Sequence, residues 1–219
     1  MRSYVRVEAK VRLEAHRKAV EVAEKLIRNA ESPKTRAEQR EFFLGLALYQ
    51  LQEYEPALKY LMASFQLEEN AETAARIAVC AWRMNDLETA LNWIKRAIIL
   101  DPKGSIETLI AQTKPSFHAI LAHLQLISGK IESAAASANA ALSINPNDVA
   151  ALYVLANTQL VSGDAASASK SLDQAIKAAP RFIAERLKND KQVAENLLKA
   201  NVRLEPFVAD LSAVQRIIV

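Results

Sequence analysis

Pairs of small residues seven positions apart recur along the chain. The pairs are Ala57 and Ser64, Ala90 and Ala97, Ala134 and Ala141, and Ala168 and Ala175. Their first members are 33, 44 and 34 residues apart. Small residues let two helix backbones approach closely, but one short helical hairpin cannot bury its apolar face alone. The chain is therefore constrained to fold as a stack of similar units.

Residues 148–180 show one such unit most clearly. The apolar residues of its first half follow a helical spacing: Leu152, Leu155, Ala156 and Leu160. Gly163 and Asp164 interrupt the pattern where a turn is needed. A second helical stretch follows and cannot continue through Pro180. The pattern predicts two helices joined by a tight turn.

A pair consisting of a large and a small residue precedes each alanine pair in the same register. These pairs are Leu44–Gly45, Ile77–Ala78, Leu121–Ala122 and Leu155–Ala156. We therefore predict four units, at residues 37–70, 71–104, 115–148 and 149–180. Residues 105–114 are then an insert, and Ile106, Leu109 and Ile110 predict a short additional helix within it.

The two ends of the chain lack the full pattern. Residues 1–33 contain apolar residues at helical spacing, which is compatible with either one long helix or a degenerate hairpin. Residues 181–219 are predicted to form capping helices, because terminal units of a stack must present one face to water. An alternative is an apolar tail that docks on this chain or on another one.

The period and the pattern of these units resemble the tetratricopeptide repeat family. The resemblance implies an all-α, right-handed solenoid with an N-terminal helical extension and a C-terminal helical cap. It also implies that the first helices of successive units line a concave, partner-binding groove. The groove residues implied by position are Phe42, Tyr49, Arg76, Trp82, Arg83, His123, Leu126, Tyr153 and Asn157. Some family members bind a chaperone's C-terminal carboxylate with a lysine–asparagine–arginine clamp, but Phe42 and Leu46 occupy clamp positions here.

Several of these groove residues have an alternative interpretation. Trp82 and Tyr49 stand where the family usually places a bulky residue inside the solenoid, so packing alone could account for both. Arg76, Arg83, Tyr153 and Asn157 are expected to form an exposed edge of the groove. The arginines would favour a partner that carries acidic residues beside apolar ones.

The sequence contains no pattern typical of an enzyme. The three histidines have no neighbouring ligands at metal-binding spacing, and four scattered glycines cannot form a phosphate-binding loop. Cys80 is the only cysteine and lies among apolar residues, which predicts a buried thiol. The formal net charge of +3 is too small to indicate a nucleic-acid partner. We expect no catalysis, metal or cofactor, and no membrane-spanning segment.

The function expected from these features is a protein–protein interaction scaffold or adaptor that binds an apolar or amphipathic segment of a protein or peptide partner. Two alternatives are an export or assembly chaperone for an aggregation-prone client, and a self-assembling scaffold formed by a homo-oligomer. We expect a cytoplasmic protein, or an excised domain of a longer or membrane-anchored one.

The close-contact register of the alanines can be tested by overpacking. Replacing Ala90 or Ala168 with Leu should lower the free energy of unfolding by about 1–3 kcal/mol, because the extra methyl groups have no room between the helices. Replacing Lys188 with Ala should have a far smaller effect. Thermal unfolding of the purified variants measures both, and equal melting temperatures for wild type and Ala168→Leu would contradict the register.

Overall fold

A computed structural model describes residues 14, 17–18, 20–21, 33–107, 113–180 and 182–183. Eight helices have defined bounds in these residues. They are α1 (Pro33–Gln50), α2 (Tyr54–Leu67), α3 (Ala71–Arg83), α4 (Leu87–Leu100), α5 (Phe117–Ile127), α6 (Ile131–Ile144), α7 (Val149–Val161) and α8 (Ala165–Ala178). The described residues contain no strand, so the predicted all-α repeat fold is confirmed.

The chain divides into two compact units, Met1–Gly104 and Ser105–Val219. In the first unit, α1 pairs with α2 and α3 pairs with α4, while α2 and α1 both contact α3. The second unit repeats this order with α5 to α8. In its described residues each unit therefore contains two helical hairpins, whose first helices touch each other.

The small residues of the recurring pairs lie where two helices meet. All eight are fully buried, including Ala90, Ala134 and Ala168. Gly45 lies in α1, the first helix of the same hairpin as Ala57 and Ser64. A Cβ atom at Gly45 would lie 2.6 Å from Cγ of Leu61 in α2. Ala78, Ala122 and Ala156 hold the corresponding place in the other hairpins and are also buried. Side-chain size at these positions sets how closely the helices approach.

Ser64 is the one exception to alanine in the recurring pairs, and the structure gives a reason. Its hydroxyl donates a hydrogen bond to Glu38 Oε1 at 3.2 Å, linking α2 to α1. Burial raises the pKa of Glu38, although the hydrogen bond from Ser64 acts in the opposite direction. A serine is therefore accommodated because its buried hydroxyl has a partner.

All four turns within the hairpins share one geometry. The residue at the same position in each has a positive φ: Gln52 (63°), Asn85 (64°), Gly129 (73°) and Gly163 (82°). The next backbone N–H then donates to a carbonyl five residues earlier, as in Asp164 N to Gln159 O at 2.9 Å. This is a Schellman arrangement, which satisfies carbonyl groups at a helix end. Glycine marks the turns at residues 129 and 163 in the sequence, whereas Gln52 and Asn85 carry no such marker.

The residues that begin the second helices differ in chemistry but share one backbone conformation. Asp86 and Asp164 accept hydrogen bonds from the N–H groups of Thr89 and Ser167. Hydrogen bonds from those same partners lower the pKa of both carboxyl groups, so capping is lost as the pH falls through the lowered pKa values. Lys130 has φ −88° and ψ 67°, close to the −92° and 81° of Asp86, but provides no side-chain cap.

The insert is not helical where the structure describes it. Residues 105–107 and 113–115 have no helical conformation, and Ser105 forms an isolated antiparallel bridge with Ser116. Ile106 N donates to Pro115 O at 3.2 Å, and the Ile106 side chain is buried. The predicted short helix is thus wrong for Ile106, while Leu109 and Ile110 lie outside the described residues.

Both termini extend beyond what the structure describes. Residues 14, 17–18 and 20–21 are helical, and Val20 packs against the core of the first unit. The choice between one long helix and a degenerate hairpin for residues 1–33 falls outside the described residues. The same holds for the predicted cap at 181–219, apart from Phe182 and Ile183, which are helical and buried.

Enlarging Gly45 should destabilise the first hairpin. Ala has the better helix propensity by about 1 kcal/mol, but overpacking costs typically about 1–3 kcal/mol. We expect the overpacking to dominate, because the clash is with a branch carbon of the fully buried Leu61 rather than with a flexible end. Gly45→Ala should therefore lower the melting temperature. In a Leu61→Ala background the same change should raise it, and a loss of stability in both backgrounds would refute the packing explanation.

Lys130→Asp should stabilise α6. The backbone at residue 130 already has the conformation of the aspartate-capped starts, so a carboxylate there can accept from the N–H of Ser133. A side-chain cap contributes about 1 kcal/mol, measurable as a higher midpoint of urea unfolding. Lys130→Ala is the matched control, since it removes the charge without adding an acceptor. Equal gains in both variants would show that loss of the lysine, not capping, is responsible.

Candidate functional site

The first helices of the first unit carry a strip of apolar side chains that are only half-buried. Phe42, Leu46 and Tyr49 are four and three residues apart on α1, so they share one face. Val79 and Trp82 share a face of α3 at the same register, and α1 contacts α3. We call these five residues the α1–α3 face.

Aromatic contacts hold the α1–α3 face against the core. Phe42 lies edge-to-face with Phe43 at 5.5 Å between ring centroids, and Tyr49 lies 5.6 Å from Tyr54. Phe42 and Tyr49 also pack against the buried cluster of the first unit. The two interpretations offered for Tyr49 therefore both apply, because its ring packs on the core and remains partly exposed.

The two arginines expected in the groove have different environments. Arg76 is only 8% exposed and donates to Glu72 Oε1 at 3.1 Å, while its Nε has no acceptor. The expectation that Arg76 is exposed on the groove edge is thus wrong, because Arg76 lies on the buried side of α3. Arg83 is exposed, as predicted, and its guanidinium carbon lies 4.7 Å from the centre of the Trp82 ring.

The second unit buries Tyr153 and Asn157, which were predicted to be exposed. Tyr153 is 2% exposed and Asn157 is 5% exposed, so the expectation that both face solvent is wrong. Tyr153 belongs to one buried cluster with Phe182 and Ile183, which follow α8. Asn157 Nδ2 donates to the backbone oxygen of Tyr153 at 2.7 Å, which satisfies one of its amide hydrogens inside the protein.

His123 and Leu126 on α5 are half-buried. Leu126 packs against the cluster that contains Ala122 and Val154. Of the four groove residues predicted in the second unit, these two alone keep partial exposure. The first unit therefore retains more of the predicted surface than the second does.

Exposed apolar residues at the ends of the first helices were missed by sequence analysis. Leu51 and Met84 in the first unit are each 42% exposed, and Ile127 and Val161 in the second unit are 43% and 58% exposed. Each lies one or two residues before the position of positive φ. An apolar residue just before each turn is therefore a signal that the sequence contains. In the first unit, however, Gln52 and Asn85 stand where a glycine would mark the turn.

A cleft of about 330 Å³ lies in the second unit, at the start of α7. Asp148 is its main polar group, but both carboxylate oxygens are already bound. Oδ1 accepts from the N–H groups of Ala150 and Ala151, and Oδ2 accepts from Ser116 N at 2.8 Å. Asp148 thus connects the starts of α5 and α7 and acts as a structural group in this cleft.

The described residues offer little reactive chemistry. Cys80 is fully buried, as predicted, and burial raises its pKa to about 12 despite the nearby Arg76. The thiolate is therefore scarcely populated at neutral pH. Across the described part of the chain, His, Cys, Asp and Glu form no group of three that could hold a metal ion. None of the helices described is both long and apolar enough to cross a membrane.

Comparison with known proteins gives a family match over part of the chain and a similar fold over most of it. Residues 125–188, which include α7 and α8, match the tetratricopeptide repeat (TPR) family model. No curated protein sequence matches the chain. A thermophilic TPR protein of Thermus thermophilus is similar in structure, with a TM-score of 0.59 and 19% identity over 90% of this chain and 96% of that one.

Two further solved structures are similar. YrrB, described as a TPR protein with an unusual peptide-binding site, has a TM-score of 0.55 and 15% identity over 80% of this chain and 84% of its own. MamA from Desulfovibrio magneticus RS-1 has a TM-score of 0.56 and 13% identity, covering 81% of this chain and 93% of that one. The family match thus covers residues 125–188, and the described helices have the fold of tetratricopeptide repeat proteins.

Proposed function

We propose that this protein is a non-enzymatic interaction scaffold that binds an apolar or amphipathic segment of a partner protein on the α1–α3 face. The observation that supports this most directly is the half-burial of Phe42, Leu46, Tyr49, Val79 and Trp82 on two touching helices. A soluble domain gains by burying such side chains fully, so a face left half-covered is a candidate for a partner.

The chemistry of this face suits a protein partner. Aromatic residues and arginine contribute binding energy at interfaces more often than lysine, glutamate or serine do. Phe42 and Tyr49 are held by ring contacts, so little side-chain entropy would be lost when a partner docks on them. A groove formed by two helices suits an amphipathic helix or an extended segment. The similar protein YrrB, with its unusual peptide-binding site, makes peptide binding a reasonable expectation for this fold.

The first unit is favoured over the second as the binding site. Tyr153 and Asn157, which correspond to Phe42 and Leu46, are already buried by the protein itself. A partner could contact them only by displacing the residues that cover them, and that displacement would cost free energy. Leaving Phe42 and Leu46 half-covered imposes no such cost.

Photo-crosslinking can locate the partner without knowing its identity. A photoreactive amino acid placed at the exposed Gln50, the last residue of α1 beside Tyr49, should capture an apolar or amphipathic segment. The matched control is the same amino acid at the exposed Gln66 on α2. Mass spectrometry identifies the captured segments. Equal capture at both positions would contradict the proposed face.

The captured species also separates the alternatives. One defined segment supports a scaffold or adaptor, whereas many unrelated apolar segments would support the chaperone alternative. A second copy of this chain at Gln50 would support self-assembly.

Truncating an anchor should weaken binding of the captured segment. Phe42→Ala and Trp82→Ala should each cost about 2 kcal/mol or more of binding free energy, because both rings would be covered by the partner. That loss corresponds to roughly a thirtyfold weaker Kd, measurable by fluorescence anisotropy with a synthetic peptide. Lys59→Ala on the exposed side of α2 is the control, and circular dichroism checks that all variants fold. Wild-type affinity in both aromatic variants would place the partner elsewhere.

A further inference from the structure

The arginines of the first unit differ in how their charge is satisfied. Arg76 pairs with Glu72, Arg96 pairs with Glu69, and Arg40 lies 3.3 Å from Glu41. Arg83 has no carboxylate partner among the described residues and instead lies over the Trp82 ring at 4.7 Å. Arg83 is therefore an exposed cation that has no carboxylate partner in the described part of this unit.

The carboxylate nearest to Arg83 along the chain is already in use. Asp86 accepts a hydrogen bond from Thr89 N at 3.1 Å, which caps α4 and lowers the pKa of its carboxyl group. Asp86 is thus held at the start of α4 by its cap and forms no ion pair with Arg83 in the structure. The guanidinium remains available to a carboxylate from outside the chain.

The contact with Trp82 orients the guanidinium. A cation–π contact uses the face of the guanidinium, whereas its five N–H donors lie in its plane and suit the two oxygens of a carboxylate. Holding the side chain over a ring also reduces the entropy lost when a ligand binds. Arg83 ends α3, where any cation would interact favourably with the helix dipole. A lysine would interact with the helix dipole equally well, so the dipole does not explain why Arg83 stacks on the Trp82 ring.

Exposed apolar residues also lie at the ends of the two first helices of this unit. Met84 follows Arg83 and is 42% exposed, and Leu51 lies at the end of the neighbouring α1 with the same exposure. Methionine side chains adapt to differently shaped apolar partners. We call Leu51, Trp82, Arg83 and Met84 the Arg83 edge.

We infer that the Arg83 edge selects partner segments that carry an acidic residue beside a bulky apolar one. The partner carboxylate binds the in-plane N–H groups of Arg83, and the neighbouring apolar side chain packs against Trp82 and Met84. This inference rests on the proposed function, because it assigns the partner's chemistry at one end of the α1–α3 face. It differs from the clamp of other family members, since Phe42 and Leu46 replace two clamp positions.

Selection of short random peptides by phage display tests this chemistry directly. Peptides selected on the wild-type chain should be enriched in Asp or Glu next to Leu, Ile, Met or an aromatic residue. Arg83→Gln should abolish the acidic enrichment while leaving the apolar one, and Arg83→Glu should shift selection towards Lys and Arg. The matched control Arg96→Gln, on α4, should select the same peptides as wild type.

Affinity of one selected acidic peptide provides a second measurement. Arg83→Gln should weaken its Kd roughly fivefold to tenfold, as expected for loss of a charge-assisted, bidentate hydrogen bond near an interface rim. Arg83→Lys retains the charge but not the planar fork, so its Kd should lie between those of wild type and Arg83→Gln. Binding of the wild type should weaken with added salt more than binding of Arg83→Gln does.

The outcomes separate this inference from the proposed function. If wild type and Arg83→Gln select peptides of the same composition, the Arg83 edge has no role in acidic recognition, although the α1–α3 face still binds peptides. If the wild type selects no peptides at all, the proposed function and the inference both fail. An affinity for Arg83→Lys equal to that of wild type would leave charge alone as the determinant and overturn the bidentate geometry.

Discussion

Close approach of two helices within each hairpin is the constraint on which the rest of the structure depends. Gly45, Ala78, Ala122 and Ala156 are buried in the first helices, and a Cβ atom added at Gly45 would lie 2.6 Å from Leu61 Cγ. Because the helices are close, the turn between them must be short, and a residue with positive φ provides that turn in every hairpin. The same closeness fixes which faces of the first helices remain for solvent or for a partner.

The repeated units could be predicted from sequence because burial depends on residue size at fixed spacing. Alanine at positions 90, 134 and 168 gives a clear signal, and all three are fully buried. The turns were harder to predict, since Gln52 and Asn85 adopt a conformation for which glycine is the usual marker. The helix predicted for the insert is wrong at Ile106 for a different reason. Ile106 has helical spacing with its apolar neighbours, yet its backbone pairs with Pro115 in an extended conformation and its side chain is buried.

The candidate site was predicted less well than the fold because exposure depends on contacts that a repeat pattern does not contain. Position within the repeat placed Tyr153 and Asn157 on a groove, but Phe182 and Ile183 share the buried cluster of Tyr153. Those two residues follow Pro180, where the pattern ends, so nothing in the repeat indicated that they return to α7. Arg83 was correctly expected to be exposed, whereas its contact with Trp82 depends on side-chain rotamers that spacing does not specify.

The bridge between Ser105 and Ser116 has a consequence for how this gene can change. The bridge and the Ile106–Pro115 hydrogen bond fix both ends of the insert, and Phe117 then begins α5 in the buried core. Closing a segment between two anchored ends has an entropic cost that depends on the number of residues in it. That entropy grows slowly, by roughly 0.6 kcal/mol for each doubling of loop length. Insertions and deletions in this segment should therefore accumulate among descendants of this chain much faster than within the repeated units, where one added residue would shift every buried alanine after it.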